Sequence, residues 1–204
     1  VLRKEQQLTP FVYLHGEWQK DGVLRLQGSE GKAFSVNFTC RVDRVDMLKD
    51  ASTFERMRII DYKTGSDEIH APGIEAMLHD YKCKAFAQVM LYSQAYAQFL
   101  PYSGPIQPMV YSMRKLMVQP VSPLTTGQQP TSEQIEHEEY KSPDKSSKRW
   151  KILDYRDYLT EFNDALIPYL EELFNPDVPF VCADDDAACT YCEFKEICQR
   201  HLKK

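Results

Sequence analysis

The segment from Cys40 to Gly65 constrains the fold more than any other. Two runs, Cys40-Arg41-Val42-Asp43-Arg44-Val45-Asp46 and Arg58-Ile59-Ile60-Asp61-Tyr62-Lys63-Thr64-Gly65, set β-branched residues among polar ones. Lys49-Asp50-Ala51-Ser52 between them has turn composition, so the segment predicts a β-hairpin. Side chains two apart on a strand share a face, which points Asp61 and Lys63 the same way. With Asp43 paired on that face, two carboxylates and one ammonium converge. The carboxylates can hold a divalent cation, leaving the lysine to orient water or stabilise developing negative charge. Asp46 falls on the opposite face of its strand from Asp43 and takes a structural role.

Elements on either side fit an α/β chain. Phe11–Glu17 and Gly22–Gly28 read as two strands separated by a polar turn, which makes the first third an expected antiparallel meander. His15 is expected as an ordinary half-buried strand residue. Gly65 to Pro72 has loop composition. Ala85 to Leu100, free of Gly and Pro and stopping before Pro101, predicts a helix. Phe86, Val89, Met90, Ala97 and Leu100 supply its buried stripe, and Gln88 and Tyr92, four apart, share a face. Ile106–Leu116 reads as a strand that the helical crossover sets parallel to the strand of Asp61. Residues 119–148, rich in Pro, Ser, Thr, Gln, Glu and Lys, are expected as an exposed, mobile insertion, with Glu136-His137-Glu138-Glu139 a solvated charge cluster. Tyr155–Phe174 predicts an amphipathic helix that Pro168 should kink or split. The expected architecture is a central mixed sheet flanked by helices, with a cysteine-rich tail over 182–204.

The chain has 204 residues, enough for one domain with a full core, so 1–204 is read as a single domain. No apolar run reaches transmembrane length, and Val1-Leu2-Arg3-Lys4 lacks a signal peptide's apolar core. A formal net charge of -5 argues weakly against nucleic acid, although a local basic patch can still grip phosphates. Arg41, Arg44, Lys63, Lys82, Lys84, Arg114 and Lys115 are its candidates. Six cysteines without an export signal favour metal ligation in a reducing, cytoplasmic compartment over disulfides. Cys189 and Cys192 can bite one metal centre, and Cys198 can close over it from a following turn.

An Asp in an apolar strand followed by Asp-x-Lys on the next resembles the PD-(D/E)XK nuclease core. Val42-Asp43-Arg44-Val45-Asp46 with Ile60-Asp61-Tyr62-Lys63-Thr64-Gly65 is similar to the RecB-type branch, AddB-like exonucleases especially. Gln88-Val89-Met90-Leu91-Tyr92 resembles the Gln-x-x-x-Tyr motif of that branch. The spacing Cys-x2-Cys-x5-Cys is similar to the iron-sulfur end of AddB-like and CRISPR-adaptation nucleases, in which a [4Fe-4S] cluster clamps the end of the domain to its beginning. The resemblance implies a restriction-endonuclease-like fold and hydrolysis of DNA phosphodiesters with Mg2+ or Mn2+. It implies an exonuclease in double-strand break repair and recombination, partnered by a helicase, with no membrane. Asp43, Asp61 and the backbone carbonyl of Tyr62 would hold the metal. Lys63 would act on the attacking water or the transition-state charge, and Gln88 and Tyr92 would position DNA. Cys189, Cys192 and Cys198 would ligate the cluster.

The sequence departs from the family in two places. The fourth cluster ligand is either an upstream cysteine missing from this chain or Cys182, which leaves the cluster absent, incomplete or replaced by zinc. The Glu or His that the family carries on a helix ahead of the strands has no counterpart, so the chain is expected to be the C-terminal piece of a larger protein. Two rival readings follow: a nuclease fold that binds DNA or scaffolds without cutting, and a zinc- or cluster-bearing interaction module.

Overall fold

The computed structural model describes residues 6, 9–27, 31, 33–49, 55–65, 67–113, 124–127, 150–181, 189–190 and 192–198. Its main sheet contains β1 (Phe11–Gln27), β2 (Ala33–Lys49), β3 (Glu55–Lys63) and β5 (Ile106–Ser112), in the order β1-β2-β3-β5. The strands β1/β2 and β2/β3 pair antiparallel and β3/β5 parallel, so the sheet is mixed as expected. Parallel strands need a covered crossover. It is supplied by α1 (Ile74–His79) and by α2 (Lys84–Phe99), which packs on β3 and β5. Every residue of β5 is buried, as are Met57, Ile59 and Ile60 of β3. Continuous apolar runs of this kind are what a strand covered on both faces requires.

The start of β5 is fixed by a polar clip. Asp154 Oδ1 accepts from the Ile106 N–H at 3.3 Å, while Arg156 donates to the carbonyls of Gly104 at 2.8 Å and Tyr102 at 3.1 Å. These bonds satisfy backbone groups that the loop before β5 would otherwise bury unpaired.

One sequence expectation fails in the first third. Phe11–Glu17 and Gly22–Gly28 are not two strands around a turn: β1 runs unbroken for 17 residues against β2. Gly22, just after the expected turn, serves close packing. A Cβ on Gly22 would lie 2.9 Å from the Phe38 ring, with Phe99 of α2 at 3.4 Å. Nearby, the Trp18 ring packs edge-on against Tyr96 (4.7 Å between centroids) and Phe99 (5.6 Å), which ties the middle of β1 to α2. Irregularity is confined to a register shift between Tyr13 and His15 and a left-handed Glu17, φ 48°. His15 is exposed rather than half-buried, with its ring beside Tyr96.

A second, small sheet joins β4 (His70–Ala71), β6 (Thr125–Thr126) and β7 (Trp150–Lys151). It draws the segment after Lys63 out of the expected loop. Within 119–148, the described residues Leu124–Gly127 are therefore ordered, and Leu124 is fully buried. The rest of that span, including Glu136–Glu139, lies outside the described residues.

The expected C-terminal helix is α3 (Leu159–Leu173), preceded by a 3-10 turn over Tyr155–Tyr158. It is not split at Pro168, although the missing N–H leaves the carbonyl one turn earlier without its helical donor. The chain divides there into two compact units, Val1–Pro168 and Tyr169–Lys204. In the second, Phe174, Phe180, Val181, Phe194 and Ile197 are exposed. Among the described residues no helix is long and apolar enough to cross a membrane.

Candidate active site

The site forms where β2 parts from β3. Their antiparallel ladder ends at Arg44 opposite Ile60, and one step further the same register sets Asp43 opposite Asp61. There a side chain takes over from the backbone: Asp43 Oδ2 accepts the Tyr62 N–H at 2.7 Å. A residue's N–H and C=O leave a strand by the same edge, so the Tyr62 carbonyl also faces the opening beside Asp43.

Asp61 and Lys63, two apart on β3, meet as predicted. Lys63 Nζ lies 3.0 Å from Asp61 Oδ2, an ion pair whose angle falls outside hydrogen-bond geometry. The same ammonium donates to Gln88 Oε1 at 2.8 Å, and Gln88 Nε2 donates to Tyr92 Oη at 2.7 Å. Gln88 and Tyr92 of α2 thus join the strand residues in one connected polar chain. Asp61 is 3% exposed, and burial is the largest cause lifting its carboxyl above the ordinary range. Lys63 opposes that shift, while the negative charges of Asp43 and Asp67 add to it. A buried carboxylate with two acidic neighbours and one lysine has an uncompensated demand for positive charge.

The donor set fits a hard divalent cation. Asp61 Oδ2 is buried without an aligned hydrogen bond, and Asp43 and the Tyr62 carbonyl add oxygens. Among the described residues no group of three or more His, Cys, Asp or Glu side chains could hold a metal ion. Two carboxylates with the remaining positions filled by carbonyl, water and substrate phosphate suit Mg2+, which dehydrates reluctantly.

On the other face of the hairpin, Asp46 does carry structure. Fully buried, it takes a forked pair from Arg58 (Nε to Oδ1 2.5 Å, Nη2 to Oδ2 2.8 Å) and lies 2.6 Å from Arg44 Nη2. Both guanidinium groups lie over the Phe11 ring, at 4.7 and 5.4 Å. Arg44 is therefore not part of a phosphate-gripping patch: it is buried, bonded to Asp46 and donates to Tyr62 Oη at 3.2 Å. Arg41 is exposed and paired with Glu17 at 2.7 Å, and Lys82 and Lys84 are exposed. Arg114 and Lys115 lie outside the described residues. Sequence reasoning missed both the Arg44–Asp46–Arg58 cluster and Asp67. The first was findable only from register, which sets Asp46 opposite Arg58. Asp67, buried after the Thr64-Gly65 turn, carries no distinguishing sequence signal.

In the cysteine tail, Cys189 and Cys192 are half-buried, Cys198 is exposed, none of the three is in a disulfide, and among the described residues they do not gather into a metal-holding group. The turns over 189–198 bond through backbone, Cys192 N–H to Cys189 O at 3.2 Å for example. Thiols have no attraction that would draw three sulfurs together without an ion, because in such sites ion binding and local folding are one event. Cys182 lies outside the described residues. Cys40 and Cys83 are buried thiols whose pKa burial pushes up to about 12 and about 11 respectively, which makes them inert core residues.

A family model of the PD-(D/E)XK nuclease superfamily matches residues 1–199. No curated protein matches the chain. Because the family match spans nearly the whole sequence, and the mixed sheet with its flanking helices agrees with it, the chain belongs to the PD-(D/E)XK nuclease superfamily.

Proposed function

We propose that this nuclease-family chain is a metal-dependent DNA exonuclease that works beside a helicase in double-strand break repair and recombination, in the cytoplasm. The observation that supports cleavage chemistry is the meeting of Asp61 and Lys63 at 3.0 Å, at the point where Asp43 leaves the ladder. Asp43, Asp61 and the Tyr62 carbonyl would hold Mg2+ or Mn2+. When bound, such an ion supplies Lewis-acid chemistry, lowering the pKa of water and neutralising phosphate charge. Lys63 orients the attacking water or donates to the charge that builds on the phosphoryl oxygens. Gln88 restrains the Lys63 ammonium, and Tyr92 contributes to holding the strand. Burial of Asp61 excludes water from one side of the site, which strengthens each of these interactions.

The exonuclease and helicase parts of this reading rest on similarity of the motifs to the RecB-type branch. So does a [4Fe-4S] or zinc site on Cys189, Cys192 and Cys198, whose sulfurs the bound centre would have to draw together. The two-carboxylate site favours one rival: a fold that binds DNA without cutting it.

End-labelled linear duplex and single-stranded DNA should be degraded with Mg2+ or Mn2+, while covalently closed circles survive and EDTA stops the reaction. Equal cutting of closed circles would make the enzyme an endonuclease. Intact linear DNA with both ions, at protein concentrations that bind it, would establish the non-cutting reading.

A further inference from the structure

Arg41 stands two residues before Asp43 on β2, so the two side chains share a face. Two residues of strand span about 6.7 Å, the scale of one nucleotide step. A DNA strand with its reacting phosphate at Asp43 and Asp61 therefore brings a neighbouring phosphate within reach of Arg41. The chain's own carboxylate already occupies that seat: Arg41 Nε and Nη2 both donate to Glu17 Oε2, at 3.0 and 2.7 Å. The β1–β2 register sets Glu17 across from Asp43, between the pairs Gly16–Arg44 and Trp18–Val42. Its backbone is left-handed, φ 48°, which a glutamate seldom adopts, and strain of this kind gathers where function uses it.

The pair is built to yield. Its side chains are 65% and 64% exposed, so solvent screens the charges and the bond adds little to stability. One carboxylate oxygen takes both donors, which is not the two-oxygen match that a guanidinium fork makes best. A phosphate offers that match. Asp43 lies near enough to Arg41 to add to the electrostatic hold of Glu17, which keeps the guanidinium at the mouth of the site.

We propose that Glu17 is an internal stand-in for a DNA phosphate: it holds Arg41 ready beside Asp43 and gives it up to a backbone phosphate of the incoming strand. The inference rests on the nuclease reading for the identity of the ligand.

Binding of a short labelled single strand is measured by fluorescence anisotropy across a salt series, with Ca2+ in place of Mg2+. The proteins are wild type, Glu17→Gln, Arg41→Gln, the double variant and Asp21→Asn. Asp21 is the control for charge alone, since it lies four residues along β1 from Glu17 and accepts from Thr39 at 2.7 Å, not from Arg41. Glu17→Gln should tighten binding about two- to fivefold, the worth of an exposed ion pair. Arg41→Gln should weaken it about five- to tenfold and make the salt dependence shallower by about 0.7 in log–log slope, the share of one phosphate on a single strand. In the Arg41→Gln background the gain from Glu17→Gln should vanish. The same gain with or without Arg41, or an equal gain from Asp21→Asn, would show that lost negative charge alone is responsible and would overturn the proposal. So would an Arg41→Gln protein that binds like wild type. Cleavage with Mg2+ is scored separately: a wild type that binds but never cuts refutes the nuclease reading while the binding cycle still judges Glu17. A wild type that neither binds nor cuts refutes both.

Discussion

Lys63→Ala should lower the rate of DNA cleavage by about 10^2- to 10^3-fold, the usual loss when one donor aimed at developing charge is removed. Affinity for Mn2+ should stay the same or tighten. Lys63 lies 3.0 Å from Asp61 and competes with an incoming cation for that carboxylate, so removing it relieves repulsion at the site. The fold should survive, because the Lys63 head group is partly exposed, Gln88 keeps its bond to Tyr92, and Asp61, which loses its cation, can take up a proton or the added Mn2+. Single-turnover cleavage with saturating Mn2+, run beside a calorimetric Mn2+ titration, separates the two effects. Cleavage within threefold of wild type would remove Lys63 from the chemistry, and a large fall in Mn2+ affinity would reassign it to the metal site.

Asp46→Ala should be the most destabilising single change near the site, at about 3–5 kcal/mol, because it strands a buried guanidinium. Arg58 is 1% exposed and directs two N–H groups at Asp46, while Arg44 is 8% exposed and pairs with the same carboxylate. Adding Arg58→Met to Asp46→Ala should recover part of the loss by removing one of the stranded charges. For a chain of this size each kcal/mol moves the melting temperature by about 2–4 °C, so the single variant should melt roughly 10 °C early. Urea melts of the two variants and wild type decide it. A cost below about 1 kcal/mol for Asp46→Ala would mean that the cluster is not what holds the hairpin's second face.

How much of this could be read from residues alone follows from the range over which each signal acts. The β2–β3 hairpin, the α2 crossover and the parallel β5 are written in local patterns: alternation around Asp43 and Asp61, an uninterrupted helical stripe, an apolar run after Pro105. The pairing of Asp61 with Lys63 needs only strand periodicity. The length of β1 was not legible, because the polar residues between Glu17 and Gly22 look like a turn until their pairing with β2 is known. Strands of two residues, such as His70–Ala71 and Thr125–Thr126, are shorter than any period and exist only through one another. Helical spacing showed Gln88 and Tyr92 on one face, but not that Lys63, 25 residues before Gln88, would meet that face. The same limit hid Arg44, whose charge looked available for phosphate until register brought it to the buried Asp46.

Asp61 joins the electrostatics of the fold to those of the reaction. Its folded pKa lies above the unfolded value of 3.8, mainly through burial, so the folded chain holds this proton to higher pH than the unfolded chain does. Without metal, its contribution to stability is therefore full below 3.8 and declines as pH rises through the folded value. At neutral pH the buried charge is a cost that a cation relieves. Asp61→Asn removes the ionisation, so the metal-free variant should melt at or above the wild-type temperature at neutral pH. Calorimetric titration of Mn2+ into wild type and Asp61→Asn at neutral pH is the most direct test of the site. Binding should be measurable in wild type and weaker by more than about tenfold in the variant, whose fold is intact. Equal Mn2+ affinities in the two proteins would contradict a metal-dependent centre built on Asp61.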